Sequence, residues 1–163
     1  MPKVYLLLGG NLGDRNSYLS QARDRIAAQV GPIVRSSALY ETAAWGNTDQ
    51  PAFLNQVVEV WAEHTPEYIL FLINQIEQEL GRVRQEHWGA RVIDIDILFY
   101  DDLAFQTPRL TIPHPRLHLR RFTLLPLAEI APEMTHPVLG KSIVTLLENC
   151  PDELEVRPFT PVT

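Results

Sequence analysis

Thr65-Pro66-Glu67-Tyr68-Ile69-Leu70-Phe71-Leu72-Ile73-Asn74-Gln75-Ile76-Glu77-Gln78-Glu79-Leu80-Gly81 reads as one complete helix with both ends marked. Thr65 offers a capping hydroxyl, Pro66 suits the first helical position, and Glu67 places an acid in the first turn. Ile69, Leu72, Ile73, Ile76 and Leu80 recur at steps of three and four, which makes one apolar stripe, and Gly81 stops the run. Downstream, residues 92–100 change period: Ile93, Asp94, Ile95, Asp96 and Ile97 alternate, the signature of a half-buried strand. Upstream, residues 54–61 read as a strand favoured by Val58 and Val60, and residues 33–41 as another. Residues 15–30 carry Leu19, Ala22, Ile26 and Val30 on one helical face, closed by Gly31-Pro32. Residues 3–8 form a buried strand, and Gly9-Gly10-Asn11-Leu12-Gly13-Asp14 supplies the turn from it into the helix. That turn lacks the Gly-Lys-[Ser/Thr] ending of a phosphate loop, so it is read as structural.

The order strand, helix, strand, strand, helix, strand predicts an α+β fold: a ferredoxin-like βαββαβ core, its sheet antiparallel, with helices packed on it. A mixed C-terminal extension follows, with helical stretches near residues 117–127 and 142–149. The chain of 163 residues, 45% hydrophobic, is expected to form a single domain spanning 1–163. Its first apolar run is too short for a signal or a membrane span, so a cytoplasmic protein that avoids membranes is expected. Cys150 is alone and builds no disulfide or cysteine-rich metal site. A net charge of −6 argues against nucleic-acid binding.

The charge is unevenly spread. From position 82 to 121 there are seven arginines against five acids, so this stretch is +2 and the remainder −8. Lysine occurs only at Lys3 and Lys141, which leaves cationic chemistry to guanidinium groups suited to phosphate. Within the same stretch, Asp94 and Asp96 stand two apart on a strand, so both carboxylates leave one face while the isoleucines take the other. Magnesium is commonly held by one or two carboxylates plus substrate phosphates. Taken alone, a solvated strand face explains the pair equally well. Arg82, Arg84 and Arg91 before the strand, with Arg109 and Arg120 after it, favour a polyphosphate site that works by alignment and charge neutralisation. Two long connections, residues 42–53 and 82–91, are the places to expect function. His114, between Pro113 and Pro115, reads as an exposed turn or a phosphate contact. Phe53 and Phe122 read as core by default and Asn55 as a cap.

These motifs together resemble the 6-hydroxymethyl-7,8-dihydropterin pyrophosphokinase family over nearly the whole chain. The resemblance rests on Leu8-Gly9-Gly10-Asn11-Leu12-Gly13-Asp14, Tyr40-Glu41-Thr42, residues 49–55, Ile76-Glu77 and residues 80–84. Its most specific part is His87-Trp88-Gly89-Ala90-Arg91-Val92-Ile93-Asp94-Ile95-Asp96-Ile97-Leu98, followed by residues 109–114 and Arg120-Arg121-Phe122. The resemblance implies transfer of pyrophosphate from ATP to 6-hydroxymethyl-7,8-dihydropterin, leaving AMP, with Asp94 and Asp96 holding two magnesium ions (Mg2+). It implies that Arg82 and Arg91 assist the transfer. Glu77, Arg84, Trp88, Ile97, Arg109, Thr111, His114 and Arg120 then surround the nucleotide. Thr42, Ala44, Trp45, Phe53, Asn55 and Phe122 line the pterin pocket, the two phenylalanines sandwiching the ring and Asn55 reading its polar edge. The partners are then two small molecules, and the chain is expected to act as a monomer. The chain departs from the family's usual pattern in reading Ala43-Ala44 where proline is common, Asn74 where glutamine occurs, and Pro115 after His114. The same element order also builds RNA-recognition modules, but their aromatic strand signature is missing here. An ATP-binding regulatory domain without catalysis is the third reading.

Overall fold

The computed structural model describes residues 1–43, 51–81 and 92–161. It contains β1 (Lys3–Gly10), α1 (Arg15–Gln29), β2 (Ile33–Ser36), β3 (Leu39–Thr42), β4 (Phe53–Trp61), α2 (Pro66–Glu79) and β5 (Asp94–Tyr100). The chain continues through β6 (Phe105–Gln106), β7 (Thr111–Ile112), a 3-10 turn (Leu117–Leu119), α3 (Arg121–Ile130), α4 (Ile143–Glu148) and β8 (Val156–Phe159). The main sheet runs β5-β1-β4-β3-β8, with β2 also on β4, and its pairings are antiparallel. This is the expected ferredoxin-like core, its first strand central and its last core strand at one edge.

Two helices form as their sequence signals require. Thr65 Oγ1 accepts the Tyr68 N–H, and α2 ends at Gly81, whose φ of +94° only glycine adopts without strain. Asp14 caps α1 by accepting the Ser17 N–H at 3.1 Å. The α1 and α2 stripes bury themselves on the sheet face carrying Val4, Leu6, Leu8, Val58 and Val60 together with Ile93, Ile95 and Ile97. The opposite face carries Tyr5, Leu7, Val57, Leu98 and Phe99, and α3 and α4 cover it. The sheet is therefore buried on both sides, and the C-terminal helices form a second layer on it.

Several expectations need correction. The strand expected over residues 33–41 is two strands on different halves of β4: Ser36 pairs with Val58, whereas Tyr40 pairs with Asn55. At the break, Ser37 Oγ accepts the Val57 N–H, and the Glu129 carboxylate of α3 accepts the Ala38 N–H. Side chains thus replace two ladder partners and allow the strand to jog. Gly9 and Gly10 belong to β1 rather than to the turn after it, and β5 begins at Asp94 rather than at residue 92. In the tail, the helix expected near 117–127 resolves into the 3-10 turn and α3, while the β6–β7 hairpin and β8 were not expected. Among the described residues no helix is long and apolar enough to cross a membrane.

Candidate active site

Antiparallel register aligns the candidate residues in rows across the sheet. Asp94 pairs with Gly9, Gly9 with Asn55, and Asn55 with Tyr40, so one lateral row runs from the β5 carboxylate to the β4 amide. The next row sets Asp96 against Leu7 and Leu7 against Val57, and Phe53 pairs with Thr42 beyond Asn55. Directly paired residues share a face. Asp94, Asp96, Asn55, Phe53 and Thr42 consequently project on the side covered by α3, and a cavity of about 420 Å³ opens there. Its wall also includes Phe122, Arg116, Leu119 and Arg120 from the segment around the α3 start, and Asp152 and Leu154 from the tail.

Gly9 is what makes this row open. A β-carbon there would lie 2.3 Å from Asn55 Oδ1, so the Asn55 amide occupies the space that any side chain at position 9 would need. Asn55 and Thr42 are both buried, and Thr42 Oγ1 is a buried polar atom without a hydrogen-bond partner among the described residues. A buried hydroxyl left this way is costly unless something satisfies it, and this one borders a cavity. Phe53 and Phe122, expected by default in the core, are instead only half-buried and flank the cavity.

The carboxylate end has its own cation. The Arg120 guanidinium lies 5.5 Å from the centre of the Phe122 ring. Burial pulls its pKa down, Asp96 opposes that shift, and Arg116 adds to it. Arg120 therefore stands between the aspartates and the aromatic end. Among the described residues no three His, Cys, Asp or Glu groups converge as a metal cluster. A donor set of two adjacent carboxylates facing an open cavity still fits magnesium, which keeps waters and takes phosphate oxygens for its remaining positions.

The structure does not gather every expected residue in this cavity. Glu77 is buried under β5, where its Oε2 accepts the Ile95 N–H at 2.8 Å, and Ile97 is in the core on the opposite face from Asp96. Arg109 is exposed, and Thr111 and His114 line a second cavity with Phe105, His118 and His136. His114 corrects the expectation of an exposed turn: it is half-buried, and burial, then Arg120 and Arg116, push its pKa down to about 4. Its Nδ1 accepts the Arg116 N–H at 3.2 Å, so a neutral ring presents Nε2–H as a donor. Ala44, Trp45, Arg82, Arg84, Trp88 and Arg91 lie outside the described residues. Sequence reasoning passed over Gly9, Arg116, Leu119, Asp152 and Leu154. Arg116 was visible in the arginine-rich stretch, but nothing in the local pattern around Asp152 or Leu154 marked them.

Comparison with known proteins adds an independent line. A family model described as 7,8-dihydro-6-hydroxymethylpterin-pyrophosphokinase (HPPK) matches residues 5–132. The chain is 46% identical over 135 residues to the 2-amino-4-hydroxy-6-hydroxymethyldihydropteridine pyrophosphokinase of Methylorubrum extorquens, covering 82% of this chain and 85% of that protein. It is 40% identical over 159 residues to the protein of the same name from Aquifex aeolicus, covering 98% and 96%. Among solved structures, wild-type Plasmodium falciparum HPPK-DHPS with pteroate superposes with a TM-score of 0.74 at 20% identity, a likeness of fold. That match covers 91% of this chain but only 42% of the longer Plasmodium chain.

Proposed function

Because the chain belongs to the 7,8-dihydro-6-hydroxymethylpterin-pyrophosphokinase family, we propose that the cavity on the α3 side is where it joins pyrophosphate from ATP to 6-hydroxymethyl-7,8-dihydropterin. The chain is an ATP-dependent diphosphokinase of folate biosynthesis. The observation that best supports this location is the combination, in one cavity, of a buried unpartnered hydroxyl, a buried amide, two aromatic rings and two carboxylates. A flat heterocycle with a polar edge needs the first four, and a polyphosphate with its cation needs the last two.

In this reading the pterin ring lies between Phe53 and Phe122, with Asn55 and Thr42 meeting its polar edge. That orientation directs the hydroxymethyl arm along the row toward Asp94 and Asp96. The hydroxyl oxygen bonds to the β-phosphorus, the bond from that phosphorus to the bridging oxygen of AMP breaks, and its electron pair leaves with AMP. The hydroxyl proton passes to solvent, and no covalent enzyme intermediate is required. Asp94 and Asp96 would hold magnesium, two ions in this reading, and the metal would supply neutralisation of the phosphate charge. Arg120 fixes the phosphate end, and by resemblance His114 helps to hold the nucleotide. By resemblance, Arg82 and Arg91 assist the transfer and Arg84, Trp88, Arg109 and Thr111 hold the nucleotide. The protein works as a single-domain monomer in the cytoplasm on two small molecules.

Purified protein with magnesium, ATP and the reduced hydroxymethyl pterin should release AMP only when the pterin is present, as followed by chromatography. Absence of pterin-dependent AMP would refute the activity.

A further inference from the structure

The family model ends at residue 132, yet the cavity wall includes two residues from well beyond it, Asp152 and Leu154. Asp152 is 8% exposed and fully engaged. Its Oδ2 accepts the Arg121 N–H at 3.0 Å, its backbone oxygen accepts Arg121 Nε–H at 3.1 Å, and its Oδ1 accepts the Leu154 N–H at 3.0 Å. The first of these bonds caps α3. Arg120, the residue at the capping position, contributes no side-chain bond, so a carboxylate from the tail replaces it. The helix fixed in this way carries Phe122 in its first turn.

Four residues later the same segment is tied to the other side of the cavity. Val156 pairs with Thr42 in the β3–β8 ladder, and Thr42 in turn pairs with Phe53. Residues 152–156 therefore span from the Phe122 side to the Thr42 and Phe53 side, and half-buried Leu154, in the middle of that span, lies on the cavity wall. The tail is joined to the Phe122 helix by the Asp152 cap and to the Phe53 strand through β3, so its conformation bears on the distance between the two aromatic faces.

We propose that residues 152–156 form a third wall of the pterin slot, with Leu154 packing against the bound ring and Asp152 acting as a positioning residue that holds Phe122 at stacking distance. This rests on the reading of the cavity as the pterin site. The tail then selects for a flat ring of limited width, while the nucleotide end is built without it.

The test measures pterin affinity by calorimetry in the presence of magnesium and a non-hydrolysable ATP analogue, analogue affinity alone, and melting temperature. The full-length variants are Leu154→Trp, Leu154→Ala, Asp152→Asn and Phe122→Ala. Leu154→Trp fills the slot and Leu154→Ala removes ring contact, so each should weaken pterin binding about tenfold or more, with analogue binding unchanged within about twofold. Asp152→Asn retains the shape but weakens the cap, and should weaken pterin binding by a smaller factor in the same selective manner. If Phe122→Ala weakens pterin binding and both Leu154 variants leave it intact, the third wall is refuted and the slot stands. If none of the four alters pterin binding, the slot itself is wrongly placed. Equal loss of pterin and analogue, accompanied by a fall in melting temperature, would reduce the tail to a structural brace and overturn the proposal.

Discussion

Replacing Gly9 by alanine tests the link between the central strand and substrate recognition. The backbone at Gly9 is outside the left-handed region, so alanine meets no conformational penalty there. The new β-carbon would instead sit 2.3 Å from Asn55 Oδ1, where ordinary contact begins at 3.4 Å, and the amide must move by about an ångström. Because Oδ1 ends a flexible side chain and the nearest backbone atom, Leu54 O, is at 3.6 Å, the fold can absorb the change. The stability cost should lie at the lower end of the roughly 1–3 kcal/mol typical of overpacking. Recognition should suffer more: one or two displaced hydrogen bonds to the ring, at about 1–1.5 kcal/mol each, weaken pterin binding about 10- to 100-fold. Calorimetry with each ligand separately should find nucleotide-analogue affinity unchanged. In an Asn55→Ala background the same substitution should cost little further pterin affinity, since the group it displaces is gone. Unchanged pterin affinity in Gly9→Ala, or an equal loss for both ligands, would refute the reasoning.

Asp94→Asn and Asp96→Asn should each lower turnover by about a thousandfold or more by removing charge from the phosphate end. Melting temperatures should stay close to that of the parent, because the isoleucines of β5 hold the core; turnover near the parent value in either would break the assignment. His114 has a pKa of about 4 when folded, below the ordinary histidine value of 6.5, so between these values the unfolded chain binds more protons and stability falls as pH drops. The contribution is fully present above pH 6.5, and its loss is at most about 3 kcal/mol. Urea denaturation at pH 7 and pH 4.5 should therefore show a smaller decline for His114→Gln than for the parent, and parallel declines would contradict this. Glu77→Ala leaves the Ile95 N–H without its acceptor and should cost about 1–3 kcal/mol in denaturant unfolding. An unchanged midpoint would show that another group satisfies β5.

The parts of the fold legible in the sequence are those whose signals are local. The apolar stripe, cap and stop of α2 all lie within residues 65–81, and β5 announces itself by alternation. What the sequence hid depends on distant partners. The jog between β2 and β3 needs Glu129 on α3, 91 positions from Ala38, and the α3 cap comes from Asp152, 31 positions from Arg121. The strand β8 contains Arg157 and Pro158 and is tolerated because it lies at the end of the sheet path, where a missing N–H is harmless. The site divides in the same way. The Asp94 and Asp96 pair and the arginine-rich stretch were visible as chemistry, whereas Phe53, Asn55 and Phe122 acquired meaning only from the family resemblance. His114 looked exposed because proline neighbours say nothing of the two arginines that fold back beside it.

Asp94 and Asn55 sit two strands apart with only the Gly9 backbone between them. Their α-carbons are therefore separated by two interstrand spacings, about 10 Å, a length fixed by backbone hydrogen bonds and not by any side chain. The sheet thus serves as a ruler for the acceptor. A pterin bearing one more methylene in its hydroxyalkyl arm would carry its oxygen past the measured point, and repacking side chains cannot re-scale the span. Strand register could, but a one-residue slip turns every inward group outward. Surface loops remain free to vary in such a protein, while the length of the arm that receives the pyrophosphate is written into the sheet.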